Sequence, residues 1–447
     1  MGSLCCKQTL DDDEQKITIR PICDNDIKGF HPDQFSLLQV IGEGAFGKVR
    51  IVRHKQTRRQ FALKYIHKDK CIHQRATNHI LSERRLLETI DHPLIVNLRY
   101  AFQDETNLYM ALDLMLGGDL HSALQTEGPF SESRARFYIA QIALALNYLH
   151  QHRIAHRDIK PENILLDARG NAHVSDFNTA IQFDEKQTLQ WSLAGSHAYM
   201  APEALGRMGY SVSVDWWSLG VVAYELLFGK RPFKGVSTED LTRQILHQPV
   251  LFPDHAYATV SPEGINGISQ FLDKSPYHRL GCYASGFEQV LAHPWFADLD
   301  WIGLELKQVT PPYQPHCNKI PKRDTNDRLE SDNDDLIQSR RQSKPRMTSF
   351  DAERPVTENA QWRQVMEEEF LDYDYTQFEK RERRISFQRV RRNSKTVIDK
   401  MRRLSLHYSQ SKYRAQGYRI ASAVEEPSAQ ITGMDSRNSS RRGLCAK

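Results

Sequence analysis

Three short stretches in a fixed order restrict this chain more than anything else in it. They are His156-Arg157-Asp158-Ile159-Lys160-Pro161-Glu162-Asn163, then Asp176-Phe177-Asn178 eighteen residues after Asp158, then Ala201-Pro202-Glu203. Moving a phosphoryl group calls for a carboxylate near the attacking hydroxyl, and Asp158 suits that. It calls for hard oxygen ligands to metal ions bridging the β- and γ-phosphates, which Asn163 and Asp176 supply. It calls for a cation near the moving group, and Lys160 lies two residues from Asp158. Upstream, Gly42-Glu43-Gly44-Ala45-Phe46-Gly47, with Val49 two residues on, is a glycine-rich loop. Glycines let backbone N–H groups approach phosphate oxygens without interference from Cβ. The same spacing serves dinucleotide sites, but here the loop joins two strand-like runs, not a strand and a helix. Lys64, in Ala62-Leu63-Lys64, follows on the next strand. Glu83 falls in the first helical pattern, where it can pair with Lys64 and hold it against phosphates. Each residue alone reads as a capped turn or a surface charge; the ordered set does not.

The flanking patterns say what carries these residues. Residues 35–52 and 58–66 read as strands interrupted by a glycine turn. Residues 78–90 place apolar side chains at 80, 81, 86, 87 and 90, close to helical spacing. Residues 133–150 form a long apolar helix with Ser131 as N-cap, and 214–228 a buried helix stopped at Gly229. Strands first and helices after predict an α+β, bilobal fold, with a small β-rich lobe (35–112) and a large helical lobe (116–296). Globular texture ends near Phe296. The predicted segments are therefore 1–34, an acidic N-terminal stretch; 35–296, the globular domain; 297–379, a tail; and 380–447, a basic, Ser-rich segment.

Charge and hydropathy bound the class. The longest near-apolar run, Leu219–Phe228, is ten residues and contains Glu225, too short for the ~20 residues a bilayer-spanning helix needs. No apolar signal-peptide core follows Met1. Seven cysteines, widely scattered, give no disulfide scaffold, and the expected setting is reduced and intracellular. Residues 380–419 hold fourteen Lys/Arg against two acidic residues, a net of +12 within a chain of net +4, so the remainder carries −8. Such a block suggests an electrostatic contact with lipid, nucleic acid or an acidic partner, or else a solvated tail.

Residues 35–296 resemble a eukaryotic protein kinase catalytic domain, through the glycine loop, Lys64, Glu83, Asp158, Asn163, Asp176 and Glu203. Lys160-Pro161-Glu162-Asn163 resembles the serine/threonine kinases. "GGDL" (117–120), "SPYHRLG" (275–281) and "PPYQP" (311–315) resemble the AGC group. Asn178 stands where the usual Asp-Phe-Gly has glycine. That Asp-Phe-Asn variant and the N-terminus resemble the YANK subfamily. Asparagine tolerates φ > 0 next best to glycine, so a left-handed residue is expected at 178. The resemblance implies ATP and Mg2+ as cofactors, with Asp158, Lys160, Lys64 and Glu83 catalytic and Asn163 and Asp176 holding metal. ATP would lie against Ile41, Gly42, Glu43, Gly44, Ala45, Phe46, Gly47, Lys48, Val49, Ala62, Lys64, Asp113, Met115, Asp119 and Leu165. Leu112 is then the gatekeeper, and the backbones of Asp113 and Met115 bond the adenine. Asp215 braces the catalytic loop, and Arg279 pairs with Glu203. Ser192 matches an activation-loop phosphosite with Arg157 as its partner, and Ser196 matches the adjoining substrate-side residue. Asp119, Glu162 and Glu225 match carboxylates that read arginines ahead of the target serine.

The tail has its own signals. Phe370-Leu371-Asp372-Tyr373-Asp374-Tyr375 resembles the AGC hydrophobic motif, expected in a groove beside the Glu83 helix, with Asp374 at the phosphosite. Phe350-Asp351 is a weaker match to the segment that reaches the nucleotide. Met1-Gly2-Ser3-Leu4-Cys5-Cys6 resembles a myristoylation site at Gly2, with Cys5 and Cys6 open to palmitoylation, although Cys6 stands where the pattern wants Ser or Thr. Ser343, Ser386, Ser394 and Ser405 each follow an Arg-Arg-x pattern. Val390, Val397, Met401 and Leu404 fall on one helical face. The expectations are protein substrates, a monomer, no nucleic acid, and a cytoplasmic protein peripheral on the inner plasma membrane through acylation and the basic tail. A nucleotide-binding scaffold without turnover is the alternative from another class.

Overall fold

The computed structural model describes residues 34–43, 47–73, 76–184, 188–282, 286–315, 370 and 373–376. Five antiparallel strands open the chain: β1 (Phe35–Glu43), β2 (Gly47–His54), β3 (Gln60–His67), β4 (Leu98–Gln103) and β5 (Asn107–Asp113). Their order in the sheet is β1-β2-β3-β5-β4. Strand alternation splits their side chains between two faces. One face gathers Phe35, Val52, Phe61, Leu63, Tyr65, Tyr100, Phe102, Tyr109 and Ala111 into a small aromatic core. The other sends Ile66, Leu98, Ala101, Leu108 and Met110 into the main core. At Gly47, an added Cβ would fall on the Tyr65 carbonyl oxygen, so only glycine lets β2 start this close to β3.

Between β3 and β4 run α1 (Lys68–His73) and α2 (Thr77–Thr89). Glu83 thus sits in the second helix rather than the first, because the six-residue α1 is too short to show a helical period. The large lobe holds α3 (Leu120–Glu127), α4 (Glu132–Gln151), β6 (Ile154–Ala155), β7 (Ile164–Leu166), β8 (Ala172–Val174), β9 (Ile181–Gln182), α5 (Pro202–Leu205) and α6 (Val214–Phe228). It continues with α7 (Thr238–His247), α8 (Ala256–Thr259), α9 (Pro262–Phe271), α10 (Phe287–Ala292) and α11 (Trp301–Glu305). Ser131 caps α4 by accepting from the Arg134 N–H, and α6 ends at Gly229 with φ 66°. Every residue of α6 is buried, which fits a helix apolar on all sides. It packs on α4 and α9, and a Cβ on Gly220 would lie 2.7 Å from that of Phe271. Among the described residues no helix is long and apolar enough to cross a membrane.

The globular part extends past the expected limit at Phe296. After α11, Tyr313 stacks on the Arg134 guanidinium, 3.9 Å from its ring centre, with Phe130 on the other side at 3.8 Å. Pro315 then reaches Gly117 at the junction of the lobes. The chain returns as β10 (Tyr375–Thr376), antiparallel to β4 with Tyr375 opposite Ala101, making a sixth strand. Phe370 and Tyr373 are 1% and 0% exposed. Residues 297–315 fall in the expected tail; what buries Leu304 there is contact with the lobe, which periodicity does not report.

Candidate active site

The cleft is built where the sheet meets the large lobe. Strand pairing sets Lys64 between Val49 and Met110, which points its side chain to the face turned toward α2. Lys64 Nζ donates to Glu83 Oε1 at 2.9 Å and Oε2 at 3.0 Å. A third bond runs to Asn178 Oδ1 at 3.2 Å. Burial works against the Lys64 ammonium, but Glu83 and Asp176 outweigh it and hold its pKa above the ordinary lysine value. Asn178 is not in the left-handed region; Asp176 is, at φ 63°. The expectation for 178 is therefore corrected: the unusual backbone lies two residues earlier, and Asn178 acts through its side chain. Gly44, Ala45 and Phe46 lie outside the described residues, as does the side chain of Glu43.

Asp158 is 8% exposed and fully engaged. Its Oδ2 accepts from Lys160 Nζ at 2.8 Å and Asn163 Nδ2 at 3.0 Å, and its Oδ1 from the Ser196 N–H at 2.7 Å. Lys160 also donates to Ser196 Oγ at 2.8 Å. Burial would raise the Asp158 carboxyl, but the bonds from Lys160 and Ser196 prevail and hold it below the usual range. Arg157, next in the loop, has φ 68°, a conformation costly for a side-chain-bearing residue. Asp215, fully buried at the start of α6, holds it there by accepting the N–H of Arg157 at 2.8 Å and of His156 at 2.9 Å. His150 Nε2 lies 2.9 Å from the same carboxylate. Burial opposes the Asp215 charge, yet His150 and these N–H groups bring its pKa below the ordinary value. Nothing in the local sequence singles out His150, which is found only through its partner; Ser196, expected on the substrate side, is bonded here to Asp158 and Lys160.

On the side expected to receive the base, Ala62 is buried, Val49, Leu112, Met115 and Leu165 are half-buried, and Ile41 is exposed. The Asp113 N–H is bonded to Asn97 O at 3.0 Å. Its carboxylate is clamped by Arg99, at 2.5 and 2.6 Å. Asp119 caps α3, accepting from Ser122 N–H at 2.7 Å and Oγ at 2.8 Å. Glu162 lies 3.7 Å from His121. Glu225 accepts from the Tyr199 hydroxyl at 2.6 Å, and burial raises its carboxyl despite that bond and Arg231. Lys48 lies on β2 opposite Glu43 and Tyr65.

The segment from Asp176 to Glu203 is tied down at several points. Arg157 Nη1 donates to Ser192 Oγ at 3.3 Å and to Tyr210 Oη at 3.0 Å. His197 Nε2 sits 2.9 Å from Thr242 Oγ1. Glu203 receives Arg279 through two bonds of 2.6 and 2.8 Å, both residues being buried. In the tail, Arg84 Nη2, adjacent to Glu83 on α2, donates to Asp374 O at 2.9 Å, and Gln103 Nε2 to Phe370 O at 2.8 Å. Lys68 lies over the Phe370 ring at 5.6 Å. Gly2, Cys5, Cys6, Phe350-Asp351, Ser343, Ser386, Ser394, Ser405 and the basic block lie outside the described residues.

The donor set suits a magnesium nucleotide. Asn163 Nδ2 is spent on Asp158, so its Oδ1 is the end left to accept or ligate, and Asp176 offers a carboxylate in the exposed cleft. Among the described residues no cluster of three or more His, Cys, Asp or Glu side chains forms a metal site. Mg2+ here would need nucleotide oxygens as well, as is usual for this ion.

Comparison with known proteins agrees with this geometry. A family model described as the protein kinase domain matches residues 35–296. Human serine/threonine-protein kinase 32C is 41% identical over 67% of this chain and 62% of its own. The cAMP-dependent protein kinase catalytic subunit of Arthrobotrys oligospora is 39% identical over 63% of this chain and 53% of its own. Protein kinase 2 of Dictyostelium discoideum is 40% identical over 63% of this chain and 58% of its own. The similarity thus spans less than two thirds of each of these relatives.

Proposed function

The chain belongs to the protein kinase domain family, and from that premise we propose that it transfers the γ-phosphoryl group of ATP to serine or threonine hydroxyls of proteins. The observation that carries this is the pairing, across one cleft, of the Lys64–Glu83 ion pair with an Asp158 engaged by Lys160, Asn163 and Ser196. Asp158, kept ionised, accepts the proton of the attacking hydroxyl. Lys160 bridges Asp158 and Ser196 and supplies positive charge beside the transferring group. Lys64 orients the nucleotide phosphates, and Asn163 and Asp176 would hold Mg2+, which neutralises charge on the phosphates when bound. The protein's own contribution is positioning and electrostatics. Lys160-Pro161-Glu162-Asn163 and the serine/threonine kinases among the relatives support hydroxyl substrates of that kind. Incubation with Mg2+, labelled ATP and a serine peptide tests it. Asp158→Ala and Asp176→Ala should each lower turnover by orders of magnitude while the fold survives; near-normal transfer by either would remove its assigned role.

The finer reading is an AGC-group kinase of the YANK type that prefers arginines ahead of the target serine. Asp119, Glu162 and Glu225 supply carboxylates for bidentate pairing with arginine. A peptide array with no upstream arginine preference refutes it. Phosphate on Ser192 would face Arg157, already 3.3 Å from its hydroxyl. Acylation of Gly2 with Cys5 or Cys6, together with the basic block, is proposed to place the protein on the inner plasma membrane, since one acyl chain alone anchors marginally. Phosphates on Ser386, Ser394 and Ser405 would cancel part of that block's charge and weaken tail–membrane contact. Gly2→Ala should move the protein to the cytosol, and a membrane fraction indifferent to it rules the anchor out.

A further inference from the structure

Lys64 has three N–H groups, and the structure accounts for all of them. Two go to the Glu83 oxygens and the third to Asn178 Oδ1. An ammonium has no acceptor, so the amide must present its oxygen to it. A glycine at 178 has no side chain to offer. The backbone there does not require one either, because residue 178 is not left-handed. Asparagine is thus not a compromise forced by φ; it is a neutral acceptor placed on the one N–H that Glu83 leaves over.

Resting on the nucleotide reading above, we propose that Asn178 is a positioning residue that acts through Lys64: it holds the third Lys64 N–H while no phosphate is bound and must yield it when one arrives. Phosphate oxygens compete for the lysine's donors, and Glu83, buried and ionic, is the stronger of the two resident acceptors. Asn178 is exposed and neutral and gives way first. The consequence is a direction. A bond present in the free enzyme and lost on binding opposes binding, so removing Asn178 should tighten phosphate-bearing nucleotides. An aspartate in its place would grip Lys64 harder and repel phosphate as well. Adenosine carries no phosphate and should be indifferent to either change.

The test is titration of the full-length protein with ADP and, in parallel, adenosine. In Asn178→Ala the ADP Kd should fall about two- to tenfold, the worth of one net hydrogen bond. Asn178→Gly should move the same way. In Asn178→Asp the ADP Kd should rise about tenfold or more, and adenosine should bind all forms alike. In turnover the change should fall on the KM for ATP more than on kcat. An ADP Kd that is unchanged or weaker in Asn178→Ala overturns the proposal. So does an adenosine Kd that shifts in step with ADP, because that reports a deformed cleft. A wild-type protein that binds neither ligand sinks the kinase reading itself, and this inference with it.

Discussion

Replacing Phe370 and Tyr373 together by alanine should cripple the site without touching it. Both rings are buried, at 1% and 0% exposure. Full burial of a side chain of this size contributes about 1.5–3 kcal/mol, so the pair contributes about 3–6 kcal/mol to docking of the tail. At about 1.4 kcal/mol per tenfold, their loss shifts the docking equilibrium by roughly a hundredfold or more, enough to release a segment only a few residues long. With it goes the bond from Arg84 to Asp374 O. Arg84 adjoins Glu83 on α2, so the helix loses its outer restraint on the turn that presents Glu83 to Lys64. The assay is the initial rate of peptide phosphorylation. We expect kcat/KM to fall at least about tenfold, with greater hydrogen exchange in α2 and an unchanged large lobe. The same double substitution in a Glu83→Ala background should add little, because the tail then restrains nothing of use. An unchanged rate, or an equal further drop in the Glu83→Ala background, would refute the coupling.

The Tyr373 hydroxyl is buried without a hydrogen-bond partner among the described residues, so Tyr373→Phe should strengthen tail docking, by about 1–3 kcal/mol of relieved desolvation; weaker docking of a tail peptide bearing the change would argue against this. Arg279→Ala strands Glu203 in the interior and should cost about 3–5 kcal/mol, read as a lower urea midpoint with an unchanged slope; a loss below about 1 kcal/mol would mean Ser213, at 3.2 Å from Glu203, suffices. Lys160→Met removes the largest of the bonds that hold the Asp158 carboxyl below its usual range and leaves only Ser196 and Asn163 to oppose burial, so that pKa rises. The acid limb of kcat/KM should then move to higher pH, and the stability that the ionised Asp158 contributes should be lost earlier as pH falls; an acid limb that stays put separates Asp158 from the pH dependence.

The residues proposed to handle phosphate were legible in the sequence because chemistry limits them to few types and the chain keeps them in order. Gly42–Gly47, Lys64, Glu83, Asp158, Asn163 and Asp176 can be listed without a structure, and so can the long helices, whose periodicity and caps are local properties. The pairings of Lys64 with Glu83, Glu203 with Arg279 and Asp215 with the catalytic loop were expected; tertiary structure fixed the atoms that meet and added further partners. Asp215 accepts from two backbone groups nearly 60 positions away, His150 lies against Asp215 across 65 positions, and the Ser196 N–H reaches Asp158 across 38. It moved the expected strain from Asn178 to Asp176 and gave Asn178 a partner 114 residues distant. It seated the tail motif, expected beside the helix that carries Glu83, on the edge of β4 as a further strand. Spacing rules reach about one turn of helix or one pair of strands. Contacts at longer separation are chosen by burial and by the need of every buried polar group for a partner, and those are satisfied only once the whole chain has packed.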